Sequence, residues 1–167
     1  MNKKIEIYTD GSCKGNPGDG GYCAILKQGK HEKTVKGYVP NTTNNVMELF
    51  AVIKGIEALK VDNCDITVYS DSQYVCNAFN KGWLESWRNS NWIKSDKKPV
   101  ANKELWQILI QLLEKHNFVS FVWVKGHADN KYNNLCDQIA QYQASHHCVI
   151  NGKICEFELL DEIEDAA

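Results

Sequence analysis

The hydrophobic period changes partway along the chain, and few folds accommodate that change. Residues 5 to 9, 22 to 28 and 33 to 39 alternate apolar and polar side chains, the signature of half-buried strands. From Val46 the apolar residues recur instead at 46, 49, 50, 53, 56 and 59, the spacing of an amphipathic helix with Thr and Asn cap candidates at 42 to 45. Further on, residues 65 to 70 predict a strand, 72 to 79 a helix, 105 to 113 a strong amphipathic helix and 119 to 124 a strand. A last helix is predicted from about Tyr132 to about Ala144. Three strands, the last two joined around Gly29-Lys30, and then strands alternating with helices point to one mixed sheet with helices on both faces. The expectation is an α/β domain with a three-stranded antiparallel edge and a parallel centre. The nearly continuous apolar run at 119 to 124 predicts a central strand covered on both faces.

At 167 residues, 43 % hydrophobic and 24 % charged, the chain has enough apolar surface for one real core, which excludes disordered and fibrous classes. No apolar stretch is long enough to span a membrane, and no signal-peptide core follows Met1, so a cytoplasmic protein without a membrane partner is expected. Seven scattered cysteines without a C-x-x-C pair give neither a disulfide framework nor a zinc site. The net charge of -2 is unevenly placed. Six acids and no base lie between 156 and 165, so residues 1 to 153 carry a surplus of four positive charges. The expected division is a domain over 1–147, with a tryptophan-rich basic protrusion at 81–104, followed by an acidic tail over 148–167. The tail admits two readings, an unstructured solubilising segment or a strand from Val149 to Leu159 packed on the domain.

The residues that carry chemistry lie at element ends. Asp10 and Asp71 each close a β-rich run, and Asp10 opens a glycine-rich stretch expected to be a long turn. Either alone would serve as a cap or turn residue. Two adjacent parallel strands ending alike would hold two carboxylates together, which is costly without a cation. Glu48 lies off the apolar stripe of the first helix and also fits a capping box with Asn45. Asp137 lies off the inward positions of the last helix, and His127 follows the 119–124 strand through a glycine. Alone, each reads as a surface residue; at one end of a sheet, His127 becomes a candidate proton shuttle. Carboxylates without a cysteine or histidine cluster select hard Mg²⁺, with Mn²⁺ a substitute, and such ions suit phosphate substrates. No Walker lysine follows the glycines.

Taken together, Thr9-Asp10-Gly11-Ser12 with Gly15-Asn16-Pro17-Gly18, Thr43-Asn44-Asn45 with Met47-Glu48-Leu49, Ser70-Asp71-Ser72-Gln73, Trp123-Val124-Lys125-Gly126-His127 and Cys136-Asp137 resemble the type 1 ribonuclease H family over about residues 3 to 145. The resemblance implies the ribonuclease-H-like fold and a two-metal endonuclease that cuts the RNA strand of RNA/DNA hybrids, leaving 5′-phosphate and 3′-hydroxyl ends. It makes Asp10, Glu48, Asp71 and Asp137 metal ligands, with Asp10 shared between two Mg²⁺ ions and Asp137 on the ion that activates water. His127 becomes the mobile histidine that helps proton transfer or product departure. Gly11, Asn16, Asn44, Asn45 and Gln73 would meet the RNA, whose 2′-hydroxyls only donors and acceptors in the minor groove can read. Thr43, Trp83, Lys94, Lys97 and Lys98 would meet the DNA backbone. A monomer is expected. A non-catalytic hybrid-binding module and a DNA-processing nuclease on the same fold are the alternatives.

Overall fold

The computed structural model describes residues 3–126, 130–146, 148–150 and 153–155. Strands β1 (Lys3–Gly15), β2 (Gly18–Gln28) and β3 (His31–Thr42) form an antiparallel meander, followed by α1 (Asn44–Glu57), β4 (Cys64–Ser70), α2 (Gln73–Asn80), α3 (Trp83–Asn89), α4 (Lys103–Leu113), β5 (Phe118–Trp123) and α5 (Lys131–Ser145). The sheet order is β3-β2-β1-β4-β5, with β1, β4 and β5 parallel. This is the mixed five-stranded sheet that the period change requires.

Alternation along β1 separates two cores. Ile5 and Ile7 face α1, α2 and α4, joining Leu49, Ile53, Val68, Trp106 and Leu109, whereas Tyr8 faces α5 with Ile25, Cys136, Ile139 and Ala140. The Tyr8 ring stacks between Tyr69 and Tyr132, each 4.9 Å away, so the α5 side of the sheet is tied together by aromatic contact.

Several sequence expectations need correction. The glycine-rich stretch after Asp10 is not a long turn: β1 continues to Gly15 and pairs with β2 throughout. Glycines are needed there because neighbours approach too closely for side chains. A Cβ on Gly21 would lie 2.1 Å from the Ala140 carbonyl oxygen of α5. The run at 119–124 is not central either; among the described residues β5 is an edge strand paired only with β4. Its apolar residues divide between the buried Phe121 on the α4 side and the outward-facing Phe118 and Val122, 64 % and 40 % exposed, so continuity does not mean burial on both faces.

In α1 the buried face is broader than the predicted stripe. Met47, Ala51, Val52 and Gly55 join Leu49, Ile53 and Ile56, while Val46 is only half-buried. The cap is Thr43, whose hydroxyl accepts from the Val46 N–H at 3.3 Å, so Asn45 and Glu48 do not form a capping box. Residues 148–150 and 153–155 form two short strands, β6 (Cys148–Ile150) and β7 (Lys153–Cys155), paired antiparallel with each other rather than as one strand. The rest of the acidic segment lies outside the described residues.

Candidate active site

The β1–β4 pairing ends at Thr9 opposite Ser70, and the next residue on each chain is an acid. Asp10 remains inside the sheet because β1 is still paired with β2, and it is only 4 % exposed. Asp71 leaves β4 toward α2, whose first turn is capped by the Ser72 hydroxyl accepting from the Val75 N–H at 3.2 Å. The Trp123 indole N–H donates to the Asp71 carbonyl at 3.0 Å, fixing this exit from the edge side.

Gly11 lets α1 settle on β1. A Cβ there would lie 2.4 Å from the Met47 carbonyl carbon and 2.5 Å from the Glu48 nitrogen, so only glycine allows this approach. The contact brings Glu48 down toward Asp10, where its Oε2 is buried without a hydrogen-bond partner among the described residues. Lying off the apolar stripe therefore does not expose Glu48, because a strand without a side chain runs beneath it.

Ligand atoms of Asp10, Glu48 and Asp71 all lie within 4.8 Å of one another. Burial and then the Asp71 charge push the Asp10 pKa from 3.8 up to about 8. Burial, followed by the Asp10 and Asp71 charges, holds Glu48 well above the usual carboxylate range. Burial, with Glu48 and Asp71 adding, pushes the nearby Cys76 thiol up to about 11. Hard oxygen donors in mutual repulsion, one without a partner, fit a hard divalent cation such as Mg²⁺.

Asp137 stands outside this tight trio. Gln141 donates from Nε2 to both of its carboxylate oxygens at 3.0 Å, although the Asp137 charge still reaches Asp10 and adds to its upward shift. With Asp71, Val124, Lys125, Gly126, Asn130, Asn133 and Asn134, it lines a cavity of about 40 Å³. That is room for a few waters. No local pattern singles out Asn133 or Gln141, but both lie four residues from Asp137 and therefore on its helix face. His127 lies outside the described residues.

The amides expected to meet RNA cluster around the β1–β2 turn and two helix starts. The Asn44 N–H donates to Asn16 Oδ1 at 3.1 Å, joining that turn to α1, while Asn45 and Gln73 are exposed. The protrusion is less basic than its lysine count suggests. Lys97 and Lys98 are exposed, but Lys94 pairs with Asp96 at 3.8 Å. Trp92 is buried and Trp87 packs 5.7 Å from Trp106, which leaves Trp83, 38 % exposed, as the accessible indole of this segment.

The RNase H family model matches residues 2–145. The chain belongs to the RNase H family. Similar proteins include the ribonuclease H of Thermoanaerobacter sp. (strain X514), 52 % identical over 149 residues that cover 89 % of this chain and 95 % of that one. The ribonuclease H of Prosthecochloris aestuarii (strain DSM 271 / SK 413) is 52 % identical over 141 residues, covering 84 % and 95 %. Among solved structures, LC9-RNase H1, a type 1 RNase H with the type 2 active-site motif, superposes with a TM-score of 0.78 at 24 % identity, covering 97 % of this chain and 81 % of that one. LC11-RNase H1 in complex with an RNA/DNA hybrid gives 0.60 at 24 %, covering 84 % and 96 %. This RNase H is thus a hydrolase of the nuclease class with the fold expected from its sequence. No helix among the described residues is long and apolar enough to cross a membrane.

Proposed function

We propose that this RNase H is an endoribonuclease that hydrolyses the RNA strand of RNA/DNA hybrids, leaving 5′-phosphate and 3′-hydroxyl ends. The observation that carries the reading is the trio Asp10, Glu48 and Asp71, within 4.8 Å and with Glu48 Oε2 buried without a partner. Four carboxylates facing a polyanion would repel it, so a pure binding module gains nothing from them. Held by these three and Asp137, two Mg²⁺ ions, or Mn²⁺ in their place, would supply the polarised water and the charge neutralisation at the leaving oxygen.

The chain's own residues do the rest. Asp10 is fixed by its place inside the sheet, and its carboxylate accepts from the Gly11 N–H at 2.9 Å, so the site needs little rearrangement when substrate arrives. Gly11, Asn16, Asn44, Asn45 and Gln73 offer the donors and acceptors that distinguish RNA by its 2′-hydroxyl. The Thr43 hydroxyl uses its oxygen for the cap and keeps its proton to donate to a DNA phosphate. Trp83, Lys94, Lys97 and Lys98 extend the contact along the DNA backbone, and His127 moves a proton at the leaving oxygen. We place the protein in the cytoplasm as a monomer, with residues 1–147 as the catalytic domain and 148–167 as its tail.

The test is a gel assay with one labelled RNA strand offered single-stranded, as an RNA duplex and as an RNA/DNA hybrid, each with Mg²⁺ and with EDTA. Metal-dependent cutting confined to the hybrid is expected. Binding without cutting would support a non-catalytic module, and cutting of DNA duplex would support a DNA-processing nuclease.

A further inference from the structure

Asn133 is a polar residue of α5 with one half of its amide committed and the other unused. Its Nδ2 donates to the Tyr69 carbonyl of β4 at 3.1 Å, across 64 residues of sequence. Its backbone N–H donates to Asn130 Oδ1 at 3.2 Å, closing the helix cap. Its Oδ1 is buried with no hydrogen-bond partner among the described residues. The residue also lines the 40 Å³ cavity that Asp71 and Asp137 share.

These contacts act at two informative positions. Tyr69 precedes Asp71 by two residues, and Asp137 follows Asn133 by one helical turn on the same face. The Asn133–Tyr69 hydrogen bond therefore sets where the helix carrying one site carboxylate stands relative to the strand that delivers another. Asp137 itself is held on its own helix by Gln141, which moves with it, and its contact off the helix is with Asp10, a like-charged group that does not anchor it. A buried carbonyl oxygen without a partner is unfavourable, and a water held in the cavity would satisfy it.

We infer that Asn133 is a positioning residue of the hydrolytic site: its amide nitrogen registers Asp137 against Asp71 by holding α5 to the end of β4, and its amide oxygen orders a water in the cavity between them. The inference rests on the hydrolytic reading above. It assigns Asn133 no contact with substrate; it acts through Asp137.

The test compares the full chain with Asn133→Leu, which keeps the bulk but loses both amide atoms. A second variant, Asn133→Ala, adds no bulk and carries the same expectation should leucine fail to fit. Gln138→Ala, an exposed change on the same helix, is the control. The first readout needs no substrate: Mg²⁺ is titrated and the midpoint of the thermal shift is recorded. Removal of a residue that orients a metal ligand costs about 10- to 100-fold in metal affinity or activity, so the Asn133 variants should raise the midpoint about 10-fold or more. The second readout is steady-state cleavage of an RNA/DNA hybrid, where kcat should fall about 10- to 100-fold while KM stays within about 2-fold. Gln138→Ala should move neither. A lowered melting temperature with unchanged midpoint and kcat would reduce Asn133 to a structural clamp and overturn the inference, as would variants identical to the parent. If the parent itself cuts no hybrid, the hydrolytic reading fails, and the Mg²⁺ midpoint still decides whether Asn133 positions the carboxylates.

Discussion

The carboxylate end of the sheet and the protrusion between α3 and α4 both bring charge toward the surface on which substrate is proposed to lie, but they are built in opposite ways. At the sheet end, like charges are forced together in a buried place: Asp10 is 4 % exposed inside a strand, and Glu48 is pressed over it by the α1–β1 contact at Gly11. In the protrusion, Lys97 and Lys98 stand exposed in a loop and Lys94 is partly offset by Asp96. Burial makes the first group's charges costly and responsive to a cation; exposure leaves the second group's charges cheap and screened by salt. On the proposed reading, chemistry belongs to the first region and attraction without sequence preference to the second.

Four substitutions or conditions would break or sharpen this contrast. The largest effect belongs to Asp10→Asn, which removes the most buried of the carboxylates. Cleavage should fall by about 1,000-fold or more, equivalent to about 4 kcal/mol of lost transition-state stabilisation, while hybrid binding in a filter assay survives. A variant that still cuts at parental rate would remove Asp10 from the ligand set. Next is Gly11→Val, which puts branched carbon into a space only 2.4 Å from the Met47 carbonyl carbon. Lifting α1 from β1 should cost about 3 kcal/mol, read as roughly 6–12 °C in the melting temperature, together with loss of Mg²⁺ response. An unchanged melt would mean that the helix is not seated by that contact.

The third test uses pH. With its pKa raised from 3.8 to about 8, Asp10 keeps its proton in the folded chain over a range where the unfolded chain has lost it, and Glu48 shifts the same way. Folded protein then binds more protons than unfolded, so stability falls as pH rises between about 4 and 8. In EDTA the melting temperature should decline across that window, and Mg²⁺ should restore it near pH 8 by binding only the folded state. A flat profile in EDTA would show that the carboxylates are not repelling one another. The smallest effect belongs to the protrusion. Replacing Lys94, Lys97 and Lys98 with Ala should raise KM a few-fold, leave kcat unchanged and make the dependence of binding on salt shallower. With Lys94 already paired and Asn89, Ser90 and Asn91 following Arg88, the parent's own salt slope should be shallower than that of relatives with more basic protrusions.

The contrast also shows what the sequence made legible. Element types and order followed from periodicity, because each strand or helix buries one face and that face repeats at a fixed spacing. Asp10 and Asp71 were visible because they follow strand runs, and the order of motifs joined Glu48 and Asp137 to them. Three features depended on distant partners that no local pattern records. Gly11, Gly20 and Gly21 read in the sequence as turn residues, although they are strand residues stripped of side chains by Met47, Thr42 and Ala140. The β5 strand was expected at the centre because its apolar run does not reveal which neighbour is missing. Asn133 was passed over because its partner Tyr69 is far away in sequence and offers only a carbonyl.

One consequence follows from the way β1 is shared. Up to Thr9 it is bonded on both sides, and from Asp10 onward it keeps only β2. The acid that anchors the site therefore sits at the fork where a central strand parts from one neighbour while held by the other. Held in the centre of the sheet, the amide hydrogens beside that fork are expected to exchange on the time scale of global unfolding rather than local breathing, which hydrogen exchange at Asp10 would check. Adaptation to a flexible polymer then falls to the lysine loop and the amide-bearing turns, while the acidic end stays a fixed point to which the substrate must conform.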